Sequence, residues 1–230
     1  MSRLFLTGTG TGVGKTLVTT ILCHQLRLMG RLVRALKPVV SGFSDNDPDS
    51  DPALILRSLG RTLTPESLAE ISPWRFAAPI SPHLAARREG RKVRMEEIRR
   101  FCLERTPEPG TIQLIEGAGG LFSPICENAT CARLIAALGD PVILVAGTYL
   151  GSISHTLTAL GCLTAMEIPI RAIVVSESAE SVGLIETMES LREFGGTGIP
   201  IHPLPRLSNT IEDQWRAAPS LAHLCEVDRA

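Results

Sequence analysis

Short, continuously apolar runs alternate along this chain with longer amphipathic stretches. Leu4–Thr7 reads as a buried strand. The stretch 15–29 follows, with Leu17, Val18, Ile21, Leu22, Leu26 and Met29 at helical spacing and Gly30 as the stop. Further strands are predicted over 32–37, 112–116, 142–146 and 170–175, with a short last one over 200–204. Helices are predicted over 152–166 and 181–194, the second with Val182, Leu184, Ile185, Met188 and Leu191 as its apolar face and Gly195-Gly196 as its end. Strands that are apolar throughout and alternate with helices imply a parallel sheet covered on both faces, since a half-exposed strand would alternate in polarity. The expected fold class is therefore α/β, a parallel-sheet P-loop NTPase fold with helices on both faces, in one domain spanning 1–230. Residues 43–110 are less regular. Asp51 reads as an N-cap with Pro52 at the first helical position of a helix through Leu59, Pro73, Pro79 and Pro82 read as punctuating a loop, and 95–103 reads as a helix.

Composition narrows the function. Hydrophobic residues make up 44% and charged residues 20% of the 230, enough apolar content to offset ordering entropy. With 23 Lys+Arg against 24 Asp+Glu, the formal charge is −1, which argues against a nucleic-acid surface as the main function. No run approaches the roughly 18 apolar residues of a membrane span, and the N-terminus lacks the pattern of a signal peptide. Cysteines 23, 102, 126, 131, 162 and 225 form no C-x-x-C pair and read as free thiols of a cytoplasmic protein. The sequon Asn128-Ala129-Thr130 is read as chance, and the five histidines suggest no triad. The 20 glycines matter by where they fall.

Nine of them sit at strand-to-loop junctions. The segment Gly8-Thr9-Gly10-Thr11-Gly12-Val13-Gly14-Lys15-Thr16 joins a predicted strand to a predicted helix. Its glycines let backbone N–H groups turn inward on an anion, and the helix N-terminus adds partial positive charge. Lys15 is placed for terminal phosphate oxygens and the Thr16 hydroxyl for Mg2+. The position five before Gly14 is Thr9, so the loop is one residue longer than G-x-x-x-x-G-K-[ST], and the dinucleotide fingerprint G-x-G-x-x-G fails as well. A phosphate loop needs a carboxylate to complete a metal site. Glu116, which ends an apolar strand before Gly117-Ala118-Gly119-Gly120, is one candidate and Asp51 a second, with Asp45, Asp47 and Asp49 nearby. Lys37, at the end of the second strand in Lys37-Pro38-Val39-Val40-Ser41-Gly42, points into the same crevice.

Taken together, the long loop, Lys37 through Gly42, Ser50-Asp51 with Leu54, Ser81-Pro82-His83, Glu116 through Gly120, Pro141 through Val145 and Leu150-Gly151-Ser152-Ile153 resemble dethiobiotin synthetase in order and spacing over 3–207. The resemblance implies an ATP- and CO2-dependent ligase that carboxylates 7,8-diaminopelargonate and closes its ring through a carbamate and a carbamic–phosphoric anhydride, with Mg2+. It implies a homodimer whose substrate site is shared across the interface. By resemblance Lys37 is the catalytic lysine, assisted by Lys15 and Thr11. ATP is bound by Gly12, Val13, Gly14, Lys15, Thr16, Leu17, Asp51, Glu116, Gly117, Ala118 and Gly119. Ser176, Glu177, Pro205, Arg206 and Leu207 form its base pocket. Thr11 and Ser41 touch the substrate, whose carboxylate rests on Leu150, Gly151, Ser152 and Ile153 of the second subunit, while Thr16, Asp51 and Glu116 hold Mg2+. The chain departs from the family in three places. Gly12 replaces a common acidic residue, Ser154 an expected asparagine before His155, and Ser176 an asparagine that reads the adenine edge. Competing readings are a ParA/MinD-type ATPase switch, whose loop carries an extra lysine absent here, and a nucleotide-sensing homologue without synthetase activity. A cobyrinate-type amidotransferase synthetase would need a glutaminase domain for which 230 residues leave no room.

Overall fold

Six parallel strands form the centre of the molecule, a computed structural model that describes residues 2–45, 47–104, 108–195, 198–207 and 210–226. In chain order they are β1 (Ser2–Gly8), β2 (Val33–Leu36), β5 (Ile112–Glu116), β8 (Val142–Ala146), β9 (Ile170–Ser176) and β10 (Ile201–Leu204). Their order across the sheet is β10-β9-β8-β1-β5-β2. Every residue of β5 and β8 is buried. Alternate side chains of a strand point to opposite faces, so both faces of the sheet are covered, as the continuous apolar runs predict. The helices are α1 (Lys15–Leu28), α2 (Asp51–Ser58), α3 (Pro65–Ile71), α4 (Pro82–Arg88), α5 (Met95–Glu104), α6 (Cys131–Leu138), α7 (Ser152–Ala165), α8 (Leu184–Phe194) and α9 (Ile211–Ala217).

Strand β1 lies between β5 and β8, and the loop that leaves it opens where the strand order reverses, the place where open α/β sheets bind ligands. Register aligns the ends: Leu6 pairs with Glu116 and Gly8 with Val145. Thr9 N–H donates to Val145 O at 3.0 Å, and Leu121 N–H donates to Gly8 O at 2.9 Å. The phosphate loop is thus held from both neighbouring strands.

The irregular region contains order that periodicity did not predict. Two three-residue strands, β3 (Val39–Ser41) and β4 (Trp74–Phe76), pair in parallel, with Ser41 opposite Phe76. Pro73 and Pro79 flank β4 rather than punctuate a loop, and Pro82 occupies the first turn of α4 after N-cap Ser81. Ser50, not Asp51, is the N-cap of α2, which frees the Asp51 side chain from capping. A second antiparallel pair, β6 (Pro124–Cys126) with β7 (Ala129–Thr130), precedes α6. Two predicted apolar faces also change. Met29 is 54% exposed beyond the end of α1, and α8 begins at Leu184, leaving Val182 and Ile185 exposed. The cause of the late start is local. Val182 N–H donates to Thr148 O at 2.7 Å and Thr148 Oγ1 donates to Ser181 Oγ at 2.8 Å, so 181–182 are tied to the loop after β8. Gly196, the second half of the predicted stop, lies outside the described residues.

The C-terminal stretch 211–225 packs on α1, the helix that carries the phosphate loop. Trp215 Nε1 donates to Thr20 Oγ1 at 2.9 Å. Gln25 Oε1 accepts from the N–H groups of Leu221 and Ala222, and Gln25 Nε2 donates to Pro219 O. All six cysteines are free thiols, five of them buried.

Candidate active site

The phosphate loop ends at Gly14, the N-cap of α1, whose φ of 93° places it in the left-handed region where a side chain is disfavoured. A Cβ there would also lie 2.7 Å from Ser176 Oγ, so loop and β9 meet at a contact only glycine permits. No side chain caps α1 and no acidic residue lies in its first turn. Its leading N–H groups therefore point, without a side-chain acceptor, into the space a phosphate would fill. Lys15 is buried and donates to Gly10 O at 2.8 Å. Burial holds its pKa below the ordinary lysine value, and Lys37 works in the same direction against Glu116.

Lys37 stands between β2 and β3 with its backbone pinned. Its N–H donates to Ile71 O at 3.0 Å, and its carbonyl accepts from Ser72 Oγ at 2.6 Å. Its ammonium meets Glu116 Oε1 at 2.7 Å, Thr16 Oγ1 at 3.2 Å and Asp51 Oδ2. Burial alone would lower its pKa, but Glu116 and Asp51 outweigh it and raise the value above that of an ordinary lysine. Asp51, although buried enough to oppose ionisation, is held below the usual carboxylate value by Lys37. Of the four nearby aspartates only Asp51 reaches this centre. Asp47 accepts from Asp49 N–H, Asp49 pairs with Arg57, and Asp45 is exposed.

Thr16 Oγ1 donates to Glu116 Oε1 at 2.7 Å, while Glu116 Oε2 is buried with no hydrogen-bond partner among the described residues. A buried carboxylate oxygen without a donor lacks what its burial normally requires. Thr16, Asp51 and Glu116 thus offer hard oxygen donors at one point beside the phosphate loop. That donor set fits Mg2+, which binds through one or two carboxylates plus phosphate oxygens and water.

One cavity of about 650 Å³ joins these parts. Of the residues predicted from sequence, Thr11, Gly12, Gly14, Lys15, Thr16, Leu17, Lys37, Ser41, Asp51, Ala118 and Gly119 line it, with Glu116 beneath. Val13 is buried under the loop. Gly117 packs away from the cavity. Ser176, Glu177, Pro205, Arg206 and Leu207 gather at the ends of β9 and β10 outside its lining, where Arg206 N–H donates to Glu177 Oε2 at 2.9 Å. Leu150, Gly151, Ser152 and Ile153 lie apart at the start of α7. The cavity also includes Val40, Pro79, Ile80, Ser81, Pro82 and Ser123, which the sequence reading did not assign to the site. Ser81-Pro82 was visible as a motif; nothing in the pattern distinguished Ser123, whose Oγ accepts from Gly120 N–H at 2.7 Å.

Gly117 shows how tightly the floor is packed. A Cβ there would lie 2.6 Å from Cys131 Sγ and 3.0 Å from Phe5 Cε1, both fully buried neighbours. Gly117→Ala should destabilise the fold by about 1–3 kcal/mol, the usual cost of overpacking. Adding Cys131→Ala should recover part of it. Chemical denaturation of both variants is the check, and an unaffected single variant would mean that the floor relaxes freely.

A family model described as an AAA domain matches residues 2–210. The dethiobiotin synthetase of Methylobacterium nodulans is 50% identical over 206 residues, 86% of this chain and 92% of that protein. That of Caulobacter vibrioides is 48% identical over 196 residues, 84% and 88% of the two chains, and that of Bacillus subtilis 34% over 214 residues, 93% and 91%. Among solved structures, the MinC:MinD complex of Aquifex aeolicus aligns with a TM-score of 0.56 at 14% identity, over 94% of this chain and 86% of that one. A ParA-family ATPase from Chlorobium tepidum aligns at 0.54 and 15%, over 94% and 90%. These two share the fold, whereas the sequence relatives share half of their residues or a third of them over nearly their whole length, so the chain belongs to the dethiobiotin synthetase family of ATP-dependent ligases.

Proposed function

We propose that this chain uses ATP and CO2 to close the ureido ring of dethiobiotin on 7,8-diaminopelargonate. The observation that carries this reading is the meeting of Lys37, Glu116, Asp51 and Thr16 in one cavity with the phosphate loop and Ser41. One substrate amine adds to CO2 and loses a proton, giving a carbamate. A carbamate oxygen attacks the γ-phosphorus and ADP leaves. The second amine attacks the carbamic carbonyl, expelling inorganic phosphate and a proton as the ring closes. Carbamate and triphosphate are both anions, so the chain must hold like charges together in a site poor in water. Lys15 and the N–H groups of α1 hold the phosphates, and Lys37, which lines the same cavity as Ser41, offsets charge developing on the transferred phosphoryl group. Thr16, Asp51 and Glu116 would hold Mg2+, which would supply positive charge against that of the phosphates. Ser176, Glu177 and 205–207 are proposed to face the nucleotide base, since Ser176 touches the loop at Gly14.

The test is ADP release. It should depend on bicarbonate and occur only when diaminopelargonate is present. Equal ATPase activity without diaminopelargonate would favour a switch ATPase instead. Against that alternative, Lys15 is the only lysine of the loop.

The reading includes a homodimer. Helix α7 follows the N-cap Gly151 with no side-chain cap and no acid in its first turn, and Ser152 Oγ is buried there without a partner among the described residues. This is a second cradle for an anion, suited to the substrate carboxylate of a facing subunit. Around it Leu150 is 87% exposed, Val182 51% and Ile185 58%, apolar area that association would cover. Leu150→Asp with Ile185→Asp should give a monomer by light scattering and raise KM for diaminopelargonate by ~10-fold or more, as loss of a charge-assisted contact does. A double variant that remains dimeric would exclude this face.

A further inference from the structure

Three side chains proposed for the metal converge on one atom of the chain itself. Glu116 Oε1, Thr16 Oγ1 and Asp51 Oδ2 all contact the Lys37 ammonium. An ammonium on these oxygens and a divalent ion on the same side chains, including the unpartnered Glu116 Oε2, would sit at close range in a poorly hydrated pocket and repel each other. Without any cation, a fully buried Glu116 beside Asp51 would be left uncompensated. We propose that Lys37 is the resident counter-ion of the metal site, and that metal arriving with nucleotide displaces its ammonium toward Ser41, where the reacting groups meet. The inference rests on the proposed metal site and deepens it.

The geometry permits that displacement and limits it. The backbone N–H and carbonyl of Lys37 are both held, by Ile71 O and Ser72 Oγ, so the main chain stays in place. The four-carbon stem is flexible and borders the cavity shared with Val40, Ser41 and Ser81. The carboxylates that lose the ammonium gain the metal, and the ammonium that leaves them meets the triphosphate and carbamate instead. Lys37 is therefore delivered to the reacting groups only when metal and nucleotide are both bound. It also makes the two bind cooperatively, each lowering the cost of the other's entry. Metal alone has to compete with an internal cation and binds weakly; metal with nucleotide does not.

Mn2+ is a spectroscopic substitute with the same preference for hard oxygen ligands. Its binding to nucleotide-free protein can be followed by electron paramagnetic resonance in the full-length chain. Lys37→Met, which removes the charge and keeps the stem, should bind Mn2+ at least ~10-fold more tightly than the unaltered protein, an effect of the size of typical site couplings. Lys37→Arg, which keeps a cation, should not. Equal affinity in the unaltered protein and Lys37→Met would overturn the exchange. Adding Glu116→Gln to Lys37→Met should abolish the gain. A gain that survives this second change would place the metal elsewhere and sink the metal-site reading and the exchange with it, whereas equal affinity in the first comparison overturns the exchange alone. Should Lys37→Met fail to fold, the unaltered protein decides: the Lys37 Nζ resonance should move when Mg2+ and a non-hydrolysable nucleotide are added together, and an unmoved resonance overturns the proposal.

Discussion

Lys37→Ala is expected to lower turnover at least ~10²-fold while nucleotide affinity stays within a few-fold, the pattern left by losing a charge that acts in the transition state. The side chain is buried and fixed at its backbone, so no other lysine can replace it; Lys15 is committed to the loop and bonds to Gly10 O. The phosphate loop does not depend on Lys37, because the α1 amides and Gly14 are set by β1 and its neighbours. The substitution also removes the partner of Glu116 and Asp51, and opening a buried ion pair costs about 3–5 kcal/mol, less here because Asp51 is partly exposed. That stability difference has a pH signature. Lys37 has a raised pKa in the fold, so its contribution is complete below the ordinary lysine value and fades as pH climbs through the raised one. Asp51 has a lowered pKa, so its contribution is complete above the ordinary aspartate value and fades as pH falls through the lowered one. The gap in melting temperature between Lys37→Ala and the unaltered protein should be flat around neutrality and narrow at both extremes. Near-normal turnover in the variant would remove Lys37 from the mechanism.

The contrast between Lys37 and Asp51 shows what one sequence can carry. Lys37, Glu116 and the loop were legible because each sits at the end of an apolar strand, and all ends of a parallel sheet point one way. Asp51 was one of four aspartates within seven residues, and periodicity does not say which side chain turns inward. Its selection comes from Ser50 taking the cap of α2, which leaves Asp51 free to reach back to Lys37. The strands β3 and β4 were invisible because three residues carry too little pattern, yet they place Ser41 on the cavity wall. Helix α6 was missed although Gly139, in the left-handed region, marks its end; eight largely apolar residues do not separate a helix from a buried strand. On α8 the periodic apolar positions separate in the fold: Met188 and Leu191 are buried, while Val182 and Ile185 are exposed. Val182 is held before the helix by its N–H bond to Thr148 O, and Ile185 is exposed in the first turn of α8. Apolar periodicity reports which positions are apolar and does not by itself separate a buried face from an exposed one.

Glu116→Gln should leave the fold in place and still cost ~10²-fold or more in turnover, about 2.7 kcal/mol of barrier. The amide has the shape of the carboxylate, and its oxygen can accept the two bonds that Oε1 accepts now, from Lys37 Nζ at 2.7 Å and Thr16 Oγ1 at 2.7 Å. The difference falls on the other atom. Glu116 Oε2 is buried with no donor among the described residues, and an NH2 group there brings two donors to the place where the proposed metal would need an acceptor. The variant therefore loses one negative charge and one ligand position without losing packing. Glu116→Asp keeps the charge but withdraws it by one methylene, so it should fall between the two. Two readings of Glu116 then separate in a single experiment. If it serves as a metal ligand, apparent affinity for Mg2+ in the presence of nucleotide drops with turnover in the order Glu, Asp, Gln. If it serves only as the counter-ion of Lys37, turnover falls while the Mg2+ dependence stays where it was. Turnover within ~3-fold of normal would mean that Glu116 does neither, since removing one ligand or one buried charge from such a site regularly costs more.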